Sequence, residues 1–591
     1  MGCLFGYVGE RSENLLGKMA GRMARRCAAG WESTVLGLGA NRVVAIGRGV
    51  PPWSAAGQVI GDEQRRVAFG HSGVFLDGQN GAAPSIQDLE NNSDSALEKL
   101  TGCFTAAFFH DGRLQLVRDP AGVKALYWTR HRERLLFASE IKALFADPRV
   151  PRILRTGAIP EYLTFSFVPG QSTMFEDIFE LQPGHILTFA KDAVSVRRHF
   201  LFENREWDGA DPPADTPAFI RRVRADLEQS VSECCEAARV RGQFPAVFVS
   251  GGIDSSAVLA TAAHLYPNER MKSFSVHFGS EYANENEYIT MITRRWRTRH
   301  VWIEIRPRQF LDRLPQIVHC LDDPIGDPIT VPNFLMAEAA SKTRGFALNG
   351  EGGDPCYGGP KNIPMMLARL LGPLPGGSNG RRFLEREYLR SFRKCFADIG
   401  QLLDPAVLKE SGGEEALLDV VTPFFRVEKP RKFINKLMAT NIRFKGANLI
   451  LVKVDKMTSN NGLLAMPPLF SRRVVEGSMA CPPTLKLHGS IEKWALKQAV
   501  ADLVPDPIIQ RPKSGMMVPL HFWFQGEMRR YAKRTLSKRN LREVGLFNAD
   551  YIGKILKYDR EDVQGARHGL KLWMLITFML WRESMLGSKT A

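Results

Sequence analysis

Residues 246–265 constrain the fold more than any other segment. A short apolar run, residues 246–250 (AVFVS), leads into Gly251-Gly252, and a helical pattern follows over residues 255–265. Strand, glycine turn and helix in that order make half of a parallel α/β unit. The turn reads Ser250-Gly251-Gly252-Ile253-Asp254-Ser255-Ser256. Two glycines let backbone N–H groups approach an anion closely. The helix start adds free N–H groups and a positive dipole end, and the serines add hydroxyls. Asp254 supplies a carboxylate suited to Mg²⁺.

This is not the Walker loop, which needs G-x-x-x-x-G-K-[ST]. It has the S-G-G-x-D-S-S form of loops that cradle ATP for cleavage between its α and β phosphates. A second glycine-rich segment, Gly350-Glu351-Gly352-Gly353-Asp354, follows the apolar Phe346-Ala347-Leu348. In open α/β sheets ligands sit at the carboxyl ends of strands, so both loops are expected to face one ATP. Asp254 and Asp354 are then expected to share a metal that neutralises pyrophosphate. Glu351 is placed to act on an incoming amine, as base or orienting group.

Strand and helix patterns alternate to about residue 348, and the remainder reads as mainly helical. A Gly/Pro-rich break over residues 372–380 is expected to be a mobile loop. Residues 1–200 read instead as β-rich, with short apolar runs at 103–109, 114–118, 135–138 and 185–189. Residues 204–217 are polar with three prolines. The expected organisation is therefore one domain over 1–203, a linker over 204–217 and a second domain over 218–591. At roughly 100–200 residues per domain, 591 residues require at least two.

The net charge of +16 is scattered, with no run of five or six basic residues. It reads as a solvated basic surface rather than a nucleic-acid tail. The apolar stretch at 572–581 is far short of the ~20 residues a bilayer needs, and residues 1–9 lack the basic region of a secretory signal. No membrane association is expected, and the expected location is the cytoplasm. Nine cysteines occur without a C-x-x-C or a zinc-like Cys/His cluster, which fits reduced thiols.

In sum these motifs resemble the asparagine synthetase family, and in order. Asn284-Glu285-Asn286-Glu287-Tyr288 stands where the family has an acidic segment ending in Tyr. Asp322-Asp323-Pro324-Ile325-Gly326-Asp327-Pro328 resembles its D-E-P-x-x-D-P segment. Val454-Asp455-Lys456-Met457-Thr458 resembles V-D-[KR]-M-[ST], and Arg511-Pro512-Lys513-Ser514-Gly515 resembles R-x-K-x-G. By that resemblance Lys513 contacts an acyl-adenylate and stabilises developing negative charge. The first half resembles the family's glutaminase domain through residues 100–107, through Arg118-Asp119-Pro120-Ala121-Gly122-Val123-Lys124, and through Phe137-Ala138-Ser139-Glu140-Ile141-Lys142-Ala143-Leu144. The implied fold is an N-terminal-nucleophile αββα sandwich followed by an adenylating parallel α/β domain with a helical C-terminal part. The implied cofactors are ATP and Mg²⁺.

The departures carry as much information. The family begins Met-Cys-Gly; this chain reads Met1-Gly2-Cys3. Cys3 therefore carries no free amine to serve as base for its thiol, and strand alternation turns it to the other face. The family's R-L-S-I segment has no counterpart over 41–70, and its N-G-E segment is replaced over 71–77. Ser93-Asp94 alone resembles the pair that holds the glutamine amine. In the second half Leu464, Met466 and Ser471 replace a Glu, an Arg and an Asp, which suggests an altered acceptor side. Relatives that close a ring with an amine of their own substrate need no ammonia. The preferred expectation is thus a lasso-peptide macrolactam synthetase acting on a precursor peptide, with a leader-peptide protease and a leader-binding protein as partners. The alternative is an asparagine synthetase using glutamine or ammonia on a small amino acid.

Overall fold

Period-two alternation of apolar residues in the first 200 positions builds strands with one face for each side of a sheet. In a computed structural model, which describes residues 2–39, 41–53, 59–76, 84–359, 362–372, 382–512, 515–558 and 567–587, these strands form two antiparallel sheets. They are β1 (Leu4–Glu10), β2 (Trp31–Gly39), β3 (Arg42–Gly49), β4 (Ile60–Asp62), β5 (Val67–Phe75) and β6 (Gly102–His110). Then come β7 (Arg113–Arg118), β8 (Tyr127–His131), β9 (Arg134–Ala138), β10 (Ile178–Glu180), β11 (His185–Ala190) and β12 (Ala193–Arg198). One sheet has the order β10-β8-β9-β1-β3-β2, the other β12-β11-β7-β6-β5-β4.

Leu4, Val8, Val44 and Ile46 of the first sheet face Ala107, Phe109, Leu114 and Leu116 of the second. The outer faces are closed by helices. On the first sheet, Leu15 and Met19 of α1 (Leu15–Arg22) belong to the core that holds Phe5 and Tyr7. On the second, Leu89 and Leu97 of α2 (Ile86–Lys99) cover Phe69, Phe104 and Phe108. This is the αββα sandwich expected from the resemblance.

After a 3₁₀ turn at Phe202–Arg205, the chain enters α3 (Thr216–Arg239). Its N-cap Asp215 accepts from the Ala218 N–H at 2.9 Å. Five parallel strands follow: β13 (Ala246–Phe248), β14 (Lys272–His277), β15 (Arg299–Glu304), β16 (Phe346–Leu348) and β17 (Leu464–Met466), ordered β15-β14-β13-β16-β17. The central strands are continuous apolar runs because both faces are covered. Helices α4 (Ile253–Leu265), α5 (Asn286–Arg295), α6 (Pro307–Leu321) and α7 (Thr330–Ser341) connect them. The rest is helical, including a π-helix at Asn441–Leu451 that runs directly into α8 (Val452–Ser459), then α9 (Arg472–Met479) and α10 (His568–Leu586). No described helix is long and apolar enough to cross a membrane. The loop expected over 372–380 lies, Gly372 apart, outside the described residues.

The two domains meet across a chain of buried charges. Arg26 donates to Asp455 at 3.0 Å, and its Nε lies 2.8 Å from Glu140. Lys124 pairs with the other Asp455 oxygen. Lys142 bridges Glu140 at 2.5 Å and Asp322 at 3.0 Å. Lys456 lies 2.6 Å from Asp322 and donates to the Ser139 carbonyl at 3.1 Å. All seven side chains are buried. Burial opposes ionisation of Asp322 and Asp455, yet the adjoining cations hold both carboxyls well below the usual carboxylate range. Desolvation costs several kcal/mol per ion, and such a cluster persists only if every charge keeps a partner.

Deleting one anion should therefore be expensive. Asp455→Ala strands Arg26 and Lys124 and is expected to cost about 3–5 kcal/mol in urea unfolding. The depressed carboxyls favour the fold above their unfolded pKa, so wild-type stability should fall as pH drops below about 4, and less steeply in Asp455→Asn. Unfolding curves of the variant that match wild type would show that the cluster adds nothing to the interface.

Candidate active site

Parallel pairing sets the site. β13 and β16 are neighbours with Val247 opposite Leu348, so the segments that follow them leave the sheet at the same edge. The first segment turns at Gly251, whose φ of +74° is left-handed backbone that suits glycine. Ser255 Oγ then accepts from the Ser250 N–H at 3.1 Å and lies 3.2 Å from Ser250 Oγ, closing the loop onto the start of α4. The second segment lies against the first. A Cβ on Gly350 would overlap the Ser255 backbone.

Between the loops and the helices opposite is a cavity of about 230 Å³. Ser250, Gly252, Asp254, Ser255, Gly350, Glu351, Gly352 and Asp354 all line it. Gly251 and Ser256 belong to the loop but not to the lining, and Lys513 lies outside the described residues. Ile329, Asn333, Met336, Ile450, Val454 and Thr458 form the other wall. Ser256 Oγ and Asn349 Nδ2 are buried and without a hydrogen-bond partner among the described residues. Of these Asn349 lines the cavity, and an uncommitted amide in a glycine-lined recess at a helix N-terminus fits a polyphosphate.

Asp254 and Asp354 do come together, around a residue the sequence analysis missed. Lys493 is buried, with its Nζ 2.6 Å from Asp254 Oδ2 and also paired with Asp354. Two carboxylates beside a phosphate loop suit Mg²⁺, and that ion and the Lys493 ammonium address the same oxygens. Lys493 sits between Glu492 and Trp494 in no glycine-rich or acidic pattern. Its left-handed φ of +57°, uncommon for a lysine, is visible only in three dimensions.

Other motifs converge beside the loop. Arg511 pairs with Glu285, stacks 4.1 Å from the Tyr288 ring centre, and points Nη1 at the Gly251 carbonyl at 3.4 Å. On the far wall Lys453 donates to Asp327 at 2.7 Å. Burial opposes both charges. Even so, Lys453 and Lys394 draw Asp327 down to about 2, and Asp327 and Glu351 raise Lys453.

The expectation about the replaced residues changes, and so does the reading of the retained Asp94. Leu464 and Met466 lie within β17, buried in the sheet, and Ser471 caps α9 by accepting from the Val474 N–H at 3.2 Å. Ser471 lines a separate interdomain cavity of about 390 Å³, not the cleft at the glycine loops. These three replacements therefore do not describe the cleft's acceptor wall. Asp94 sits within α2, tied to Gln115 at 2.6 Å, Arg197 at 3.1 Å and Arg113 at 3.2 Å, and is occupied in a surface ion-pair cluster.

The reading of Cys3 keeps its geometry. Cys3 is buried in the outer cluster with Phe5 and Tyr7, whereas Leu4 faces between the sheets. By alternation the inward position before Leu4 is Gly2, whose carbonyl accepts from Ser72 Oγ at 2.8 Å.

A family model described as asparagine synthase matches residues 222–583, more than half of the chain. The chain belongs to the asparagine synthase family. A glutamine amidotransferase domain model matches residues 86–200. An asparagine synthetase [glutamine-hydrolyzing] 1 of Bacillus subtilis is 27% identical over 515 residues, 83% of this chain and 78% of that protein. A putative asparagine synthetase of Mycobacterium bovis is 25% identical over 540 residues, 86% and 80% of the two chains. Amidase chry2 of Gibberella zeae is 23% identical over 520 residues, 76% and 74%. Membership in the asparagine synthase family makes the chain an ATP-dependent carbon–nitrogen ligase.

Asp254→Asn is expected to lower pyrophosphate release from ATP by about 100-fold or more while the melting temperature stays near wild type. Retention of most of that rate would remove the carboxylate from the site.

Proposed function

We propose that the cleft activates a carboxylate as its adenylate, with loss of pyrophosphate, and transfers the acyl group to a nitrogen nucleophile. The meeting of two glycine loops at one sheet edge, with Asp254 and Asp354 on a common cation, carries this reading. Ser250, Gly251, Gly252, Ser255, Ser256, Gly350 and Gly352 would hold the phosphates. Asp254 and Asp354 would hold Mg²⁺, which supplies charge neutralisation when bound. Glu351 would orient or deprotonate the amine, and Lys513 would stabilise negative charge in the second step. Residues 1–203, 204–217 and 218–591 serve as scaffold domain, linker and synthetase domain.

For the substrates, the curated relatives favour a small acidic amino acid, with asparagine as product. The nitrogen would enter as ammonia rather than from glutamine. Gly2 offers no thiol on the inward face, and the nitrogen of Cys3 is an amide. That same loss favours a second reading, in which a substrate's own amine closes a macrolactam on a peptide. The apolar wall of Ile329, Met336, Ile450 and Val454 would accommodate a peptide side chain. A leader-peptide protease and a leader-binding protein would then be partners. Neither reading calls for a membrane or a nucleic acid.

Mass spectrometry of the products separates these outcomes. With ATP, Mg²⁺ and aspartate, ammonium should give asparagine and AMP, while glutamine should give neither asparagine nor glutamate. Glutamate from glutamine would overturn the reading of the first domain. AMP formation only when a precursor peptide is supplied, with loss of one water from that peptide, would select ring closure.

A further inference from the structure

Two sulfurs meet at the base of the interdomain charge cluster. Cys3 Sγ and Cys27 Sγ lie 3.4 Å apart, although 24 residues separate them. Cys3 is fully buried and Cys27 is half-buried, so a small oxidant reaches the pair at Cys27. Both sulfurs lie over Gly49. A Cβ there would stand 2.9 Å from Cys3 Sγ and 3.1 Å from Cys27 Sγ, so the contact depends on a glycine opposite it. Among the described residues no other two cysteines are within hydrogen-bonding distance.

The surroundings favour sulfur chemistry. Arg26 is buried beside the pair, and its Nη1 lacks a hydrogen-bond partner among the described residues. Burial alone would raise the Cys3 thiol, but the Cys27 contact and the Arg26 charge together lower it, while the same contact and burial push the Cys27 thiol up. A thiol beside a guanidinium and a second thiol is poised for exchange, whereas isolated buried cysteines are inert.

We propose that Cys3 and Cys27 form a reversible disulfide that acts on the interdomain cluster through Arg26. The oxidant class is a hydroperoxide. The Cys3 sulfur attacks a peroxide that enters past Cys27, gives a sulfenic acid, and releases the alcohol, or water from hydrogen peroxide. The Cys27 sulfur then displaces the sulfenic oxygen, which leaves as water with the Cys27 proton. Two electrons pass from the sulfurs to the O–O bond, and a dithiol reverses the step. Closing the bond draws Cys27 inward from 3.4 Å to covalent distance. Cys27 directly follows Arg26, which holds Glu140 and Asp455. Asp455 lies on α8, whose Val454 and Thr458 line the cleft.

The test uses the full-length reduced protein and hydrogen peroxide near stoichiometry, followed by alkylation in denaturant and peptide mapping. Before alkylation the expected product is about 2 Da lighter than the reduced protein, and mapping finds Cys3 and Cys27 joined in one peptide pair that dithiothreitol separates. Cys27→Ser and Cys3→Ala should each abolish the cross-link. Recovery of both cysteines as alkylated thiols, or of Cys27 as a higher oxide beside a free Cys3, would overturn the proposal. The melting temperature should shift on oxidation in wild type and not in Cys27→Ser, and no shift in wild type would sever the link to Arg26. ATP turnover should fall by about threefold with the same reversibility. Turnover rests on the adenylating reading, so its absence in the reduced protein would count against that reading. The mapping and melting results would still decide the disulfide.

Discussion

Charges taken out of water set the terms of this structure. Arg26, Lys124, Lys142 and Lys456 meet Glu140, Asp322 and Asp455 where solvent is excluded, and none can lose its partners cheaply. The N-terminal sandwich supplies Arg26, Lys124, Glu140 and Lys142; the synthetase domain supplies the rest. The two domains are therefore tied by complementary charge as well as by apolar contact. Segments that resemble catalytic signatures in sequence, such as Val454-Asp455-Lys456 and Ser139-Glu140-Ile141-Lys142, owe part of their character to this interface.

The same tie reaches the chemistry. Helix α8 presents Asp455 and Lys456 to the interface and Val454 and Thr458 to the cleft, while Asp322 in the interface lies five residues from Asp327, which holds Lys453. A sandwich whose β1 turns Cys3 away from the space between the sheets still has a physical task here, because it braces the helix that walls the cleft. The wide π-helical segment before α8 adds to that wall through Ile450.

Much of this was legible from residue order. The Ser250–Ser256 and Gly350–Asp354 loops follow β13 and β16 as their apolar runs predict, and parallel pairing makes them neighbours. What failed did so for identifiable reasons. Asp94 looks like a ligand-holding acid until Arg113 and Arg197, far along the chain or on another strand, claim it. Leu464, Met466 and Ser471 look like an altered acceptor wall until β17 buries the first two and the third caps a helix. Lys493 carries no motif at all, because its role arises from a turn that brings it to two carboxylates more than a hundred residues away.

By itself the sequence determined the class of fold, the two glycine loops and the absence of a thiol on the inward face of β1, since each depends on local pattern and strand alternation. Only the tertiary structure decided which charges meet. Ion pairs form between side chains whose separation in the chain says nothing of their separation in space. For that reason Lys493 and the Cys3–Cys27 contact appear only once each domain has folded, and the interdomain cluster only once the two domains are packed together.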